Sequence, residues 1–157
     1  MALMTCRDLS FAYGGETVLR GVSFTVEAGD YLCVVGENGS GKSTLIKGLL
    51  GLKEPSGGSV ELGDGLERRE VGYLPQQTAL QRDFPASVFE VVLSGRLNGL
   101  GRRCFYSQED RREAERNLER MGMLELRRRC YQDLSGGQQQ RVLLARALCA
   151  TKKLLLL

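Results

Sequence analysis

The sequence contains no histidine, and its five cysteines (Cys6, Cys33, Cys104, Cys130 and Cys149) are scattered without a C-x-x-C pair. A zinc centre of the usual cysteine and histidine ligands therefore has no set to draw on. The cysteines read instead as free thiols of a reducing compartment. Nowhere does an apolar run approach the roughly 18–20 residues that a membrane-spanning helix needs. The opening MALMTCRDLS lacks a basic segment followed by an apolar one, so it does not read as a signal peptide. Charge of one sign is lacking too. With 22 basic and 19 acidic residues the net charge is +3, too mild to argue for nucleic acid or an anionic membrane. No internal repeat and no low-complexity segment stands out. The expectation is a soluble, cytosolic chain.

What remains is the material of one domain: 157 residues, 42% of them hydrophobic, enough to bury a core. LMTCRDLSFAY reads as an extended edge strand. Val22, Phe24 and Val26 alternate with polar residues, as on a half-buried strand, and YLCVV at 31–35 is a continuous apolar run of the buried kind. STLIKGLLGL then changes to helical spacing, with Gly51 placed to end it. EPSGGSVELGDG predicts a turn, a strand and a turn, and VGYLP a further short strand. The closing KKLLLL, with no turn, cap or polar tail, reads as a buried parallel strand. A fragment of a longer chain is the expectation.

From about residue 85 the pattern is helical. Ser87 and Glu90 make a capping box ahead of VFEVVLSGR. Ser107 precedes QEDRREAERNLERMGM, whose acidic front suits the helix dipole and whose later arginines suit i,i+4 pairing. Glu113, Glu115, Glu119 and Glu125 interleave with the arginines of 111–129, which predicts a solvated helix face rather than a nucleic-acid face. The order of elements implies an α/β fold with residues 1–83 and 134–157 as a core and 84–133 as a helical subdomain.

Two motifs carry chemistry. Gly36-Glu37-Asn38-Gly39-Ser40-Gly41-Lys42-Ser43 fits G-x-x-x-x-G-K-[ST] at every position, with Thr44 following, a strand signal before it and a helix signal after it. Glycines there let successive backbone N–H groups turn inward as a concave anion nest at a helix N-terminus. Lys42 can then reach the β- and γ-phosphates, and the Ser43 hydroxyl can ligate Mg²⁺. An N-K-x-D guanine reader is absent from these residues. The second motif is LSGGQQQR at 134–141. Ser135 can cap a helix and Gln138 can reach back, yet Gly136 and Gly137 add nothing a cap requires. Two glycine amides at a second helix N-terminus make a second anion site, spare within one copy. It becomes useful if two copies meet head to tail, each covering the other's nucleotide.

At this point the sequence resembles the ATP-binding subunits of ABC transporters, over essentially all of its length. GENGSGKST looks like their Walker A loop, and LSGGQ like their signature motif. The resemblance implies a P-loop NTPase core with an antiparallel β edge and a helical signature subdomain, binding ATP and Mg²⁺. It implies that Tyr13, in LSFAYGGETVL, stacks on adenine. Gln76, in VGYLPQQ, would touch Mg²⁺ and the attacking water and link to the membrane subunit. Ser135, Gly136, Gly137 and Gln138 would act in trans on a second subunit's nucleotide. The implied partners are that second subunit, integral membrane permeases and, indirectly, a substrate-binding protein. The implied location is the cytoplasmic face of the cell membrane. RDFPASVFEVVLSGR, GMLELRRR and LSGGQQQRVLLARAL look like the ATPases of zinc and manganese uptake systems. Other ABC importers or exporters, a soluble ABC-type ATPase of DNA repair or chromosome maintenance, and a nucleotide-binding regulator without turnover are the alternatives. The family continues from such an apolar strand into an Mg²⁺-holding aspartate, a general-base glutamate and, later, a histidine. None of these lies within the 157 residues, so these residues alone are expected not to hydrolyse ATP at a useful rate.

Overall fold

The structure is a computed structural model that describes residues 2–63, 65–74, 85–101, 103–151 and 153–157. The chain divides into two compact units, Met1–Arg68 and Arg69–Leu157.

In the first unit, β1 (Ala2–Tyr13), β2 (Glu16–Glu27) and β3 (Gly57–Leu62) form an antiparallel sheet in the order β2-β1-β3. The predicted edge strand is therefore the central one. The reason lies in its side chains: Leu3, Met4, Cys6, Leu9 and Phe11 are all at most 3% exposed, and a strand buried so thoroughly needs a neighbour on each side. The edges are β2 and β3; on β2, Val22 and Phe24 are half-buried, Val26 is buried, and the intervening residues face solvent. Helix α1 (Lys42–Leu49) packs Leu45 and Leu49 into this core, as its spacing predicts. It stops at Gly51, whose φ of +71° lets Leu52 N–H reach Lys47 O at 2.8 Å and Gly51 N–H reach Gly48 O at 2.9 Å.

A second expectation fails here. Residues 31–35 form no strand, and Tyr31 (90% exposed) and Val35 (88%) lie open to solvent. Just upstream, Asp30 Oδ2 accepts from Glu27 N–H at 2.8 Å and Asp30 N–H donates to Glu27 O at 3.2 Å. This tight turn carries the chain off the end of β2. Among the described residues no strand pairs with 31–35, and a parallel-type apolar run without neighbours on both sides has no ladder to join.

The second unit holds a two-stranded parallel sheet, β4 (Val71–Tyr73) with β5 (Leu154–Leu156), so the closing leucines are parallel as expected, but they are half-buried rather than buried. Among the described residues its helices are α2 (Val88–Leu93), α3 (Gln108–Arg120) and α4 (Gly136–Ala150), packed around Val88, Val92, Leu118, Tyr131 and Val142, each at most 1% exposed. The capping boxes at Ser87 and Ser107 are both formed. The α2 pattern runs shorter than VFEVVLSGR predicts, with a 3-10 turn over Ser94–Gly99 replacing its end. Ser94 Oγ donates to Val91 O at 2.6 Å, an alternative to the helical ladder. At the next residue, Gly95, the chain runs so close to the Arg146 carbonyl that a side chain would overlap it. On α3, Arg111, Arg112, Glu115, Arg116, Glu119 and Arg120 are exposed, a face of mixed sign.

Candidate nucleotide-binding site

The predicted phosphate loop is one continuous feature of the first unit. Residues 36–40 are exposed and bend through Ser40 N–H to Glu37 O at 3.2 Å, into the N-terminus of α1. Gly39 (φ +87°) and Gly41 (φ +91°) adopt the left-handed conformation. A Cβ on Gly36 would stand 2.7 Å from Ser40 Oγ, so the two ends of the loop approach closely there and a side chain at 36 would turn the Ser40 hydroxyl aside. Gly41 is the N-cap of α1, and it brings the loop against Val18 O and Leu19 of β2. No side chain caps α1, and its first turn holds no acidic residue. The first amides of the helix and the positive end of its dipole thus meet no internal counter-charge.

Lys42 arches back over this loop. Its Nζ donates to Gly36 O at 2.7 Å and to Glu37 O at 2.6 Å, which holds the ammonium across the mouth of the nest. Ser43 is exposed at the second helical position, while Thr44 is 8% exposed and turned inward. The residues fit an anionic phosphate chain: left-handed glycines at 39 and 41, an uncapped helix N-terminus, a cation at the rim and the exposed Ser43 hydroxyl beside it.

Tyr13 ends β1 opposite Glu16 at the tip of the β1–β2 hairpin, 47% exposed. One face of its ring carries a cation, with Lys53 Nζ 3.8 Å from the centroid. Lys53 escapes sequence reasoning, because a lone lysine in LKEPSGG has no pattern to mark it. Gln76 lies outside the described residues.

The signature stretch belongs to the second unit. Ser135 caps α4: Gln138 N–H donates to Ser135 Oγ at 3.4 Å, and Ser135 N–H donates to Gln138 Oε1 at 3.0 Å, the reciprocal box that the spacing predicts. Gly136 and Gly137 are exposed, and an added Cβ at either would meet nothing within 4 Å. Neither has a positive φ. Nothing in the local fold therefore requires glycine at these two positions. The motif is anchored from beneath by Gln139, 4% exposed, whose Nε2 donates to Tyr131 O at 3.2 Å.

The profile of the ABC transporter family matches residues 19–157. The chain belongs to that family. It is 38% identical over 162 residues to the high-affinity zinc uptake system ATP-binding protein ZnuC of Bacillus subtilis, covering 100% of this chain and 70% of that protein. The zinc transport system ATP-binding protein TroB of Treponema pallidum is 41% identical over 144 residues, 90% of this chain and 54% of TroB. Among solved structures, cbiO1 of Clostridium perfringens, part of the ABC transporter complex cbiONQ, superposes with a TM-score of 0.80 at 27% identity, covering 98% of this chain and 64% of cbiO1. The chain thus spans between about half and 70% of the length of these relatives. The fold is the α/β P-loop NTPase fold of ABC ATPases.

Proposed function

We propose that this ABC-family chain is the ATP-binding part of a subunit that powers metal-ion uptake, with zinc or manganese as the cargo. The observation that carries the ATP-binding part is the loop at 36–44, where glycine geometry, a rim lysine and an uncapped helix N-terminus converge. The cargo is supported by the relatives, which include zinc and manganese transport ATP-binding proteins of bacteria.

In this reading the amides of residues 39–44 bind the β- and γ-phosphates, and Lys42 exchanges its two carbonyl acceptors for phosphate oxygens. Ser43 presents its hydroxyl to Mg²⁺, with Gln76 as the second protein oxygen. When bound, Mg²⁺ neutralises charge on the terminal phosphates. Tyr13 offers its ring to the adenine. Ser135, Gly136 and Gly137 supply amides and a hydroxyl to the γ-phosphate of a second copy, and Gln138 fixes Ser135 by the reciprocal bond. The subunit works on the cytoplasmic face of the membrane against permease subunits, fed from outside by a substrate-binding protein.

Replacing Lys42 with alanine tests the assignment. MgATP affinity, measured by calorimetric titration, should fall by about 1.5–3 kcal/mol, the range for a hydrogen bond to a charged group, or roughly ten- to a hundredfold. Unchanged affinity would remove the loop from nucleotide binding.

A further inference from the structure

Lys53 stands on the ring assigned to the base, and its placement is set by the helix that carries the phosphate loop. The first turn of α1 is the nest; its last turn ends at Gly51, and the Leu52 N–H to Lys47 O bond of 2.8 Å fixes the direction in which the chain leaves toward Lys53. From there the side chain reaches the hairpin tip and sets its ammonium 3.8 Å from the Tyr13 ring centroid. Tyr13 as a whole remains 47% exposed, so much of the residue is open to a planar ring in solution.

We propose that Lys53 is a positioning residue for the nucleotide base: its ammonium holds one face of the Tyr13 ring and presents the opposite face to a purine. This rests on the reading that Tyr13 stacks on the base. The cation is drawn to the negative face of the ring quadrupole and restricts the rotation of an otherwise solvent-exposed side chain. It also draws π density toward itself, which makes the far face a better partner for an electron-rich purine than for a pyrimidine. Both ends of α1 then serve one ligand, the first turn taking its phosphates and the exit of the last turn orienting its base platform.

The test is a double-substitution cycle on the whole chain, with equilibrium titrations of ATP, CTP and inorganic tripolyphosphate. Lys53→Ala should weaken ATP binding two- to fivefold, the equivalent of an exposed cation–π contact. It should narrow the ATP-over-CTP preference and leave tripolyphosphate affinity unchanged. Lys53→Arg should restore ATP affinity, because guanidinium also sits on aromatic faces, and it shows that the site is folded. In a Tyr13→Ala background, Lys53→Ala should have no further effect. A loss of equal size in that background, or for tripolyphosphate, would make Lys53 a general phosphate attractor and overturn the proposal. Tighter ATP binding by Lys53→Ala would make the lysine a competitor for the ring, and overturn it too. If Tyr13→Ala weakens ATP while Lys53→Ala does not, the stacking reading survives and the lysine role fails. If Tyr13→Ala leaves ATP affinity unchanged, both fail.

Discussion

Glycine has two opposite uses in this chain, and substitution separates them. At Gly41 the backbone sits at φ +91° with Val18 O 3.2 Å from where a Cβ would be. Gly41→Ala should therefore destabilise the chain by roughly 1–2 kcal/mol, the strain of a left-handed residue bearing a side chain. Gly136 and Gly137 stand in open helical positions. Alanine at either should raise stability by up to about 1 kcal/mol, since glycine is the poorer helix former by that amount. Urea unfolding of the three variants measures both effects; destabilisation by Gly136→Ala and Gly137→Ala would mean that the fold does need them. These residues were legible in sequence because each motif is a run of neighbours with fixed residue types at fixed spacing. Lys53 was not, because its partner lies forty residues away on another element and nothing periodic links them.

Among the elements of the second unit, Asp110 is a joint between helix ends. It is 1% exposed at the third position of α3. Its carboxylate accepts from Ser107 N–H and Oγ–H (2.9 and 2.7 Å), Arg96 Nε (2.9 Å) and Arg103 Nη1 (3.2 Å). Arg96 also donates to Cys149 O at 3.1 Å, which ties the start of α3 to the end of α4, the helix that begins with the signature glycines. Burial alone would raise the Asp110 pKa. The hydrogen bonds from Ser107 and Arg96, with the charge of Arg96, outweigh it and hold the carboxyl at about 2. A carboxyl lowered by folding contributes stability that is complete above its unfolded value, near 4, and is lost as pH falls toward 2. Asp110→Ala should thus destabilise by about 1.5–3 kcal/mol at pH 7, and the difference from the parent should shrink between pH 4 and 2. A constant difference across that range in chemical denaturation would contradict the assignment. The capping boxes at Ser87 and Ser135 were legible, since a cap and its partner are three residues apart, and Ser107 was legible as the start of α3. The central place of β1 and the unpaired state of 31–35 were not, because strand neighbours are chosen by long-range pairing that a run of apolar residues does not specify.

For the molecule as a whole, the claim is that two copies share each nucleotide. The motifs that carry it lie in separate units, one on the uncapped start of α1 and the other on the capped start of α4. In a version extended to the length of its relatives, Gly137→Asp should leave nucleotide binding to the monomer nearly intact yet abolish ATP-driven dimerisation. It places a carboxylate where a partner's γ-phosphate must sit, and like charges at contact are mutually destabilising. Light scattering with and without ATP reads the outcome, and an undiminished dimer would count against the trans role. The central claim is met most directly by a crystal structure with Mg²⁺ and a non-hydrolysable ATP analogue. It should place the β- and γ-phosphates on the amides of residues 39–44, with Lys42 Nζ moved from the Gly36 and Glu37 carbonyls to phosphate oxygens and a second copy's Ser135–Gly137 on the γ-phosphate. An analogue seated elsewhere, with Lys42 still bonded to its own loop, would contradict it.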